Sequence, residues 1–139
     1  MLLVDTGVFV AAADLDDRHN EACAALLESH PGPLVTTPLV ATEAGWLIRR
    51  QLGMHAEAVL YQAIAEGGIT VIDLTADDWA RIAALLGTYA DIGLDAADAS
   101  MIAIAERFDQ TTIATLDKRD FRIVRPSHVN AFELLPEAP

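Results

Sequence analysis

The apolar positions of this chain form short continuous runs that alternate with longer stretches in which they recur at helical spacing. The short runs are typical of buried strands, and the stretches between them are typical of helices with one apolar face. We predict strands at residues 1–4, 34–37, 69–74 and 111–116, with 122–126 (RIVRP) as a candidate fifth strand. We predict helices at residues 6–13, 16–29, 38 to about 50, 54–66 and 96–107, and a further helix that begins after Thr75.

The alternation of strands with helices determines the fold class that we expect. Parallel strands need crossover connections, which are usually helices, and such sheets are covered on both faces. We therefore predict an α/β fold, a three-layer α/β/α sandwich with a central, mainly parallel sheet of four or five strands. The length of 139 residues matches one domain, so we predict a single domain over residues 1–139.

Several predicted helices begin at residues that favour a helix start. Thr37 is a candidate N-cap, and Pro38 follows it at the first helical position. Thr75 and Asp95 are candidate N-caps of two later helices. The two helices within 38–66 are predicted to form a hairpin, and its apolar side chains either pack into the core or contact a partner.

The composition limits where the protein works. Hydrophobic residues make up 53% of the chain, yet no uncharged run approaches the length needed to span a bilayer, which is roughly 20 residues. The first residues lack the basic segment that precedes the apolar run of a secretory signal. We expect a cytoplasmic protein that has no contact with a membrane.

The formal net charge of −12 does not decide whether the protein acts on nucleic acid. Proteins that bind RNA or DNA usually have a basic face, which the net charge argues against. Carboxylates that hold a divalent cation also add to the negative total, however, and the loaded site attracts phosphate. The positions of the acids therefore matter more than their number.

Two acids directly follow predicted strands. Asp5 follows the apolar run LLV, and Asp117 follows IATL. In open parallel sheets, ligands bind in the crevice at the carboxyl ends of the strands. The alternative for each residue alone is a turn-forming aspartate.

Two further acids lie on or beside apolar helix faces. Glu43 comes three residues after Val40 and four before Leu47. Asp98 precedes apolar residues that lie three, four and seven positions further on. If Asp95 is the N-cap, however, Asp98 occupies the third helical position, where an acid also belongs to a capping box.

A shared cation would explain these four acids together. Burial of a lone carboxylate is costly unless another group compensates it. Two carboxylates about 4 Å apart repel by about 4 kcal/mol at an effective dielectric constant near 20, so an empty cluster has raised pKa values. Oxygen ligands without histidine suit Mg²⁺ or Mn²⁺ better than Zn²⁺.

Four motifs in order resemble those of PIN-domain ribonucleases, and the small size resembles the VapC toxins of bacterial toxin–antitoxin pairs. The motifs are LLVDTGVFVAAAD, ATEAGWL, LDAADASMIAIAER and IATLDKRDF. The resemblance implies that Asp5, Glu43, Asp98 and Asp117 bind Mg²⁺ or Mn²⁺ and support hydrolysis of single-stranded or looped RNA by metal-activated water. It also implies a homodimer and a cognate antitoxin whose C-terminal segment covers the acidic groove.

Residues near the four acids are peripheral candidates. Asp95 and Asp120 lie close enough in sequence to join the cluster. Thr6 and Thr115 either hydrogen-bond metal ligands or water or are ordinary strand-end threonines. Lys118 and Arg119 follow Asp117 and either guide the RNA backbone or offset the local negative charge.

Other classes of protein remain open at this point. Phospho-signalling receiver modules also place Mg²⁺-binding acids at strand ends, with Asp73 as the candidate acceptor, but they usually carry adjacent acids after the first strand. A phosphatase of the haloacid dehalogenase type would need a second aspartate where Gly7 stands. A PIN-like interaction domain that does not cleave RNA is the third alternative.

Overall fold

The computed structural model describes residues 1–137 and contains a five-stranded parallel sheet with helices around it. The strands are β1 (Leu2–Val4), β2 (Leu34–Thr36), β3 (Thr70–Val71), β4 (Thr112–Ala114) and β5 (Glu133–Leu135). Their order is β3-β2-β1-β4-β5, and every neighbouring pair is parallel. The predicted α/β fold with a central parallel sheet is confirmed.

Seven helices connect the strands within the described residues. They are α1 (Thr6–Ala13), α2 (Asn20–Ser29), α3 (Pro38–Leu52), α4 (Met54–Ala65), α5 (Ala76–Thr88), α6 (Ala96–Arg107) and α7 (Lys118–Ile123). Thr37 caps α3 by accepting a hydrogen bond from Val40 N at 3.2 Å, as the sequence predicts. The predicted hairpin is formed by α3 and α4, which pack against each other.

The prediction of a fifth strand at 122–126 is wrong. This segment begins inside α7, and the fifth strand lies later in the chain, at Glu133–Leu135. Phe121 and Val124 are both buried and lie three residues apart, which is helical spacing. Packing of that face therefore overrides the strand propensity of the isoleucine and valine.

The helix predicted at 16–29 begins four residues later, at Asn20. Asp14 Oδ1 accepts a hydrogen bond from Asp16 N at 3.0 Å, and Asp17 Oδ1 accepts one from His19 N at 2.7 Å. Such local bonds offer the backbone an alternative to the helix. The third strand is also shorter than predicted, since only Thr70–Val71 of 69–74 joins the sheet.

The core is built around β1 and α6. All three residues of β1 are buried, and so is every residue of α6 from position 97 to 105. A helix that is buried on all sides needs small side chains, and α6 has alanine at positions 97, 99, 103 and 105. No helix within residues 1–137 is long and apolar enough to cross a bilayer.

Two ion pairs fix α6 against α5. Arg81 donates to both carboxylate oxygens of Glu106, at 2.7 and 2.9 Å. Arg107 Nη2 lies 2.9 Å from Asp78 Oδ2, and Asp78 is buried. Bidentate pairs of this kind impose geometry as well as energy, so α6 is held in one position on the sheet.

Gly45 sets the distance between α3 and α4. A Cβ atom at this position would lie 2.1 Å from the hydroxyl oxygen of Tyr61 and 2.7 Å from its Cζ atom. The same hydroxyl donates a hydrogen bond to Glu57 at 2.8 Å, which holds the ring in place. The contact therefore leaves no room for a side chain at position 45 of α3.

We predict that Gly45→Ala changes the free energy of unfolding in opposite directions in two backgrounds. In the wild-type protein it lowers the free energy of unfolding, because overpacking costs about 1–3 kcal/mol. In a Tyr61→Leu background it raises the free energy of unfolding by up to about 1 kcal/mol, because alanine is the better helix former. Urea unfolding of the four proteins measures both effects, and equal signs would contradict the proposed contact.

Candidate functional site

The order of the strands places a crevice between β1 and β4. From β1 the chain adds β2 and β3 on one side of the sheet, and it then returns to place β4 and β5 on the other. Ligands of open α/β sheets bind where the strand order reverses, beyond the carboxyl ends of the strands. Asp5 directly follows β1, and Asp117 lies three residues after the end of β4.

A cavity of about 330 Å³ lies at this crevice. It is lined by Asp5, Thr6, Gly7, Glu43, Leu47, Asp95, Asp98, Leu116 and Asp117. The structure thus places all four predicted acids, and the peripheral candidates Thr6 and Asp95, around one space. Gly7, Leu47 and Leu116 were not singled out from the sequence, because nothing distinguishes them from ordinary core and turn residues.

One buried hydroxyl joins the ends of β1 and β4. Thr115 Oγ1 donates to Asp5 Oδ2 at 2.9 Å and accepts a hydrogen bond from Asp117 N at 3.0 Å. Asp5 N donates to Ala114 O at 2.9 Å, which extends the pairing of the two strands. Thr115, predicted as a peripheral candidate, therefore sets the position of two acids relative to each other.

Asp98 does not behave as a capping residue. Asp95 is the N-cap of α6, and its Oδ1 accepts a hydrogen bond from Asp98 N at 2.8 Å. In the equivalent position of α5, the Asp78 carboxylate bonds back to Thr75 N at 2.9 Å and completes a capping box. Asp98 Oδ2 instead is buried and has no hydrogen-bond partner among the described residues.

Glu43 reaches the cavity from α3, which is tied to α6 at its first turn. Thr37 Oγ1 lies 2.7 Å from Ser100 Oγ, and both side chains are fully buried. Ser100 donates onward to Ala97 O at 2.7 Å. This pair holds the helix that carries Glu43 beside the helix that carries Asp98.

The cavity contains polar atoms that the protein itself leaves unpaired. Asp5 Oδ1, Thr6 Oγ1 and Asp98 Oδ2 are buried without a hydrogen-bond partner in residues 1–137. An unpaired buried polar atom costs about 1–3 kcal/mol, and more when the group is charged. Carboxylate oxygens in this state are suitable ligands for a hard divalent cation, so the donor set fits Mg²⁺ or Mn²⁺.

The acids also raise one another's pKa values. Burial raises the pKa of Asp5 from 3.8 to about 6, although the hydrogen bond from Thr115 opposes the rise. Burial, followed by the charges of Asp5, Asp95 and Asp117, raises the pKa of Asp98 to about 9. Burial and the charge of Asp95 raise the pKa of Glu43 as well. Asp98 therefore holds a proton at neutral pH unless a cation replaces it.

Asp120 lies closer to the cluster than its peripheral place in the prediction suggests. Asp98, Asp117 and Asp120 each offer one carboxylate oxygen, and these three atoms lie within 4.8 Å of one another. Burial and the charge of Asp117 raise the pKa of Asp120. Its other neighbour is Arg119, whose Nη1 lies 3.5 Å from Asp120 Oδ1.

The two basic candidates lie outside the acidic cavity. Arg119 is exposed on α7, and its guanidinium faces Asp120. Lys118 Nζ donates a hydrogen bond to Pro136 O. Neither side chain lines the space between the four acids, so any contact with RNA lies at the edge of that space.

Comparisons with known proteins agree with this architecture. A family model described as PIN domain matches residues 2–125. Ribonuclease VapC26 of Mycobacterium tuberculosis is 27% identical over 135 residues, which is 97% of this chain and 100% of that protein.

Two solved structures share the fold at low sequence identity. Mycobacterium tuberculosis VapC20, described as a sarcin-ricin loop cleaving toxin, superposes with a TM-score of 0.76 at 20% identity over 81% of this chain and 87% of its own. A toxin–antitoxin complex from Klebsiella pneumoniae superposes with a TM-score of 0.65 at 22% identity over 93% of this chain and 100% of its own.

We predict that the metal-free protein loses stability as the pH rises. The folded-state pKa values of Asp5 and Asp98 lie above the ordinary value of 3.8, so their contribution is present below about pH 4 and is lost through pH 6 and pH 9. In EDTA, the melting temperature falls between pH 5 and pH 9.

The matched variants are Asp98→Asn and Asp77→Asn, since both remove a first-turn helix acid but Asp77 is exposed and lies outside the cavity. Asp98→Asn flattens the pH profile and melts above the wild type at pH 8, whereas Asp77→Asn follows the wild-type profile. If the melting temperature of Asp98→Asn fell with pH in parallel with that of the wild type, the loss of stability would not come from this cluster.

Proposed function

This chain belongs to the PIN-domain family, and from that membership we propose that it is a metal-dependent endoribonuclease and the toxin of a toxin–antitoxin pair. The observation that carries the proposal is the convergence of Asp5, Glu43, Asp98 and Asp117 on one cavity with unpaired buried oxygens. The name of the similar Mycobacterium tuberculosis protein, a ribonuclease, supports RNA as the substrate. We therefore also propose that the protein acts in the cytoplasm, where its RNA substrate would be found.

We propose Mg²⁺ or Mn²⁺ as the cation, with Asp5, Glu43, Asp98 and Asp117 as its ligands. When bound there, such a cation would supply activation of water and stabilisation of negative charge on a phosphodiester. The four acids would hold it, and the hydrogen bond from Thr115 fixes the orientation of the Asp5 carboxylate. Because Asp98 is protonated at neutral pH without metal, binding releases a proton and becomes tighter as the pH rises.

The same geometry supports hydrolysis without a protein nucleophile. The cavity offers carboxylates and one threonine hydroxyl, Thr6, but no cysteine, histidine or lysine among the described residues that line it. The carboxylates are suited to bind a metal ion and water, and the Thr6 hydroxyl is a weak nucleophile unless a neighbouring base activates it. The chemistry of this donor set is therefore activation of water.

We propose that the α3–α4 hairpin contacts the antitoxin or a second copy of this chain. The hairpin exposes large apolar side chains, namely Trp46, Leu52, Met54, Val59 and Tyr61. Exposed apolar surface of this kind marks protein–protein contacts. Solved toxin–antitoxin complexes with the same fold support an antitoxin partner.

The phospho-signalling alternative is not favoured. Asp73, its candidate acceptor, is exposed and does not line the acidic cavity, and its carbonyl oxygen accepts a hydrogen bond from Arg107 at 2.8 Å. Membership of the PIN-domain family also argues against it. A PIN domain that binds partners without cleaving RNA is the alternative that the next experiment separates.

We predict that Asp5→Asn and Asp98→Asn abolish cleavage of a labelled oligoribonucleotide in Mn²⁺. Each substitution removes a charge that holds the cation but changes the volume little. Asp77→Asn is the matched control and cleaves at the wild-type rate. Full metal-dependent cleavage by Asp98→Asn would contradict the proposed site, and a wild-type protein that binds Mn²⁺ without cleaving any RNA would support the non-cleaving alternative.

We predict that Mn²⁺ stabilises the protein and that Thr115 tunes its affinity. At 100 times its Kd a ligand adds about 2.7 kcal/mol to the free energy of unfolding, which raises Tm by roughly 5–10 °C at roughly 2–4 °C per kcal/mol.

Thr115→Val keeps the shape of the side chain but loses both hydrogen bonds, so it weakens Mn²⁺ binding by about 10- to 100-fold. Thr115→Ser keeps the hydroxyl and serves as the control, and equal Mn²⁺ affinity of the two variants would contradict the positioning role.

A further inference from the structure

A second, larger cavity adjoins the acidic one. Its volume is about 710 Å³, within the range of ligand-binding clefts. It is lined by Arg18, His19, Glu21, Ala22, Ala25, Leu116, Lys118, Pro136 and Glu137. Leu116 lines both cavities, so the two spaces meet at this residue.

The second cavity holds two cations with free hydrogen-bond donors. Lys118 uses one N–H for Pro136 O and retains two. Arg18 Nε donates to His19 Nε2 at 3.1 Å, which leaves four N–H groups on its guanidinium. Within the described part of the chain, neither residue pairs with a carboxylate, whereas Arg49, Arg81, Arg107 and Arg119 all do.

These cations supply what the acidic cavity lacks. Five acids line that cavity, but none of the described residues around it is a lysine or an arginine. An RNA strand whose scissile phosphate lies there carries further phosphates on either side, and the acids repel them. Arg18 and Lys118 line the cavity that shares Leu116 with the acidic one, where their charges can neutralise the next phosphate.

The other walls suit an unpaired base. Leu116, Pro136 and two alanines of α2 provide an apolar surface, and His19 adds a planar ring. Bases of single-stranded RNA lie against apolar, aromatic and guanidinium surfaces, and their amino groups donate to carboxylates such as Glu21. The lining thus combines phosphate-binding and base-binding chemistry.

The segment that presents Arg18 and His19 is held in place. Asn20 Nδ2 donates to Ala11 O at 3.0 Å and to Ala12 O at 3.1 Å, which ties the start of α2 to the end of α1. Asp17 Oδ1 accepts a hydrogen bond from His19 N at 2.7 Å. The cavity is therefore formed before any ligand binds, which reduces the entropic cost of binding.

We propose that this cavity binds the nucleotide of a single-stranded RNA next to the cleaved phosphodiester, with its phosphate on Arg18 and Lys118 and its base against Leu116, Pro136 and His19. The assignment rests on the proposed ribonuclease function. It adds a substrate subsite that is built from α2, the start of α7 and the segment after β5.

The first test measures RNA binding without cleavage, in an Asp98→Asn background. A labelled oligoribonucleotide is titrated by fluorescence anisotropy over a range of KCl concentrations. Arg18→Gln and Lys118→Gln each weaken binding and reduce the slope of log K against log salt by about 0.7, the value for one phosphate contact on a single strand. Arg18→Lys and Lys118→Arg keep the wild-type slope because they keep the charge.

Arg125→Gln is the matched control, since Arg125 is exposed and lines neither cavity, and within residues 1–137 its guanidinium donates only to Arg122 O. If Arg18→Gln and Lys118→Gln have the same salt slope as Arg125→Gln, the proposal is overturned. In the wild-type background the first two lower kcat/KM for RNA several-fold but leave the Mn²⁺ thermal shift unchanged. A protein that binds RNA through these residues without any Mn²⁺-dependent cleavage contradicts the ribonuclease function but still supports RNA binding in this cavity.

A protein partner is the alternative occupant that the experiment tests for this cavity. If Arg18→Gln and Lys118→Gln bind and cleave RNA as the wild type does but escape inhibition by the antitoxin, the cavity belongs to that partner and the nucleotide subsite is refuted.

Discussion

Mutual repulsion between buried carboxylates is the constraint on which the site of this protein depends. Asp5 and Asp98 line one cavity, and both have raised pKa values because burial and neighbouring acids disfavour their charged forms. No internal cation relieves this repulsion, since no lysine or arginine of the described chain lines the cavity. The fold must therefore hold the acids together against their charge, and the free energy it stores is available to a ligand of opposite sign.

Buried hydrogen bonds and packed helices hold the elements that carry the acids. The Thr115 hydroxyl joins the ends of β1 and β4, and the Thr37–Ser100 pair joins α3 to α6. The ion pair between Arg81 and Glu106 fixes α6 against α5. These contacts hold the elements that carry Asp5, Glu43 and Asp98 in place, which keeps the cluster from spreading apart.

The sequence predicted which acids lie close together better than it predicted the elements around them. Asp5 and Asp117 follow apolar runs, so the topology of a parallel sheet was enough to bring them together. Asp78 and Asp98 look alike in sequence, because each is the third residue after an N-cap, and only the structure shows that one completes a capping box while the other keeps an unpaired buried oxygen. The second cavity was beyond sequence analysis, since Ala22 and Pro136 meet only through the tertiary fold.

The last strand has a consequence for the order in which the protein is made. Thr115 N donates to Leu135 O at 2.8 Å, so β5 supports the residue that holds Asp5 in place. A ribosome adds every acid of the cavity, the last being Asp117, before it reaches residues 133–135. During synthesis the nascent chain therefore carries all these carboxylates while the edge of β4 is still open. The final geometry of the site waits for the strand that closes that edge.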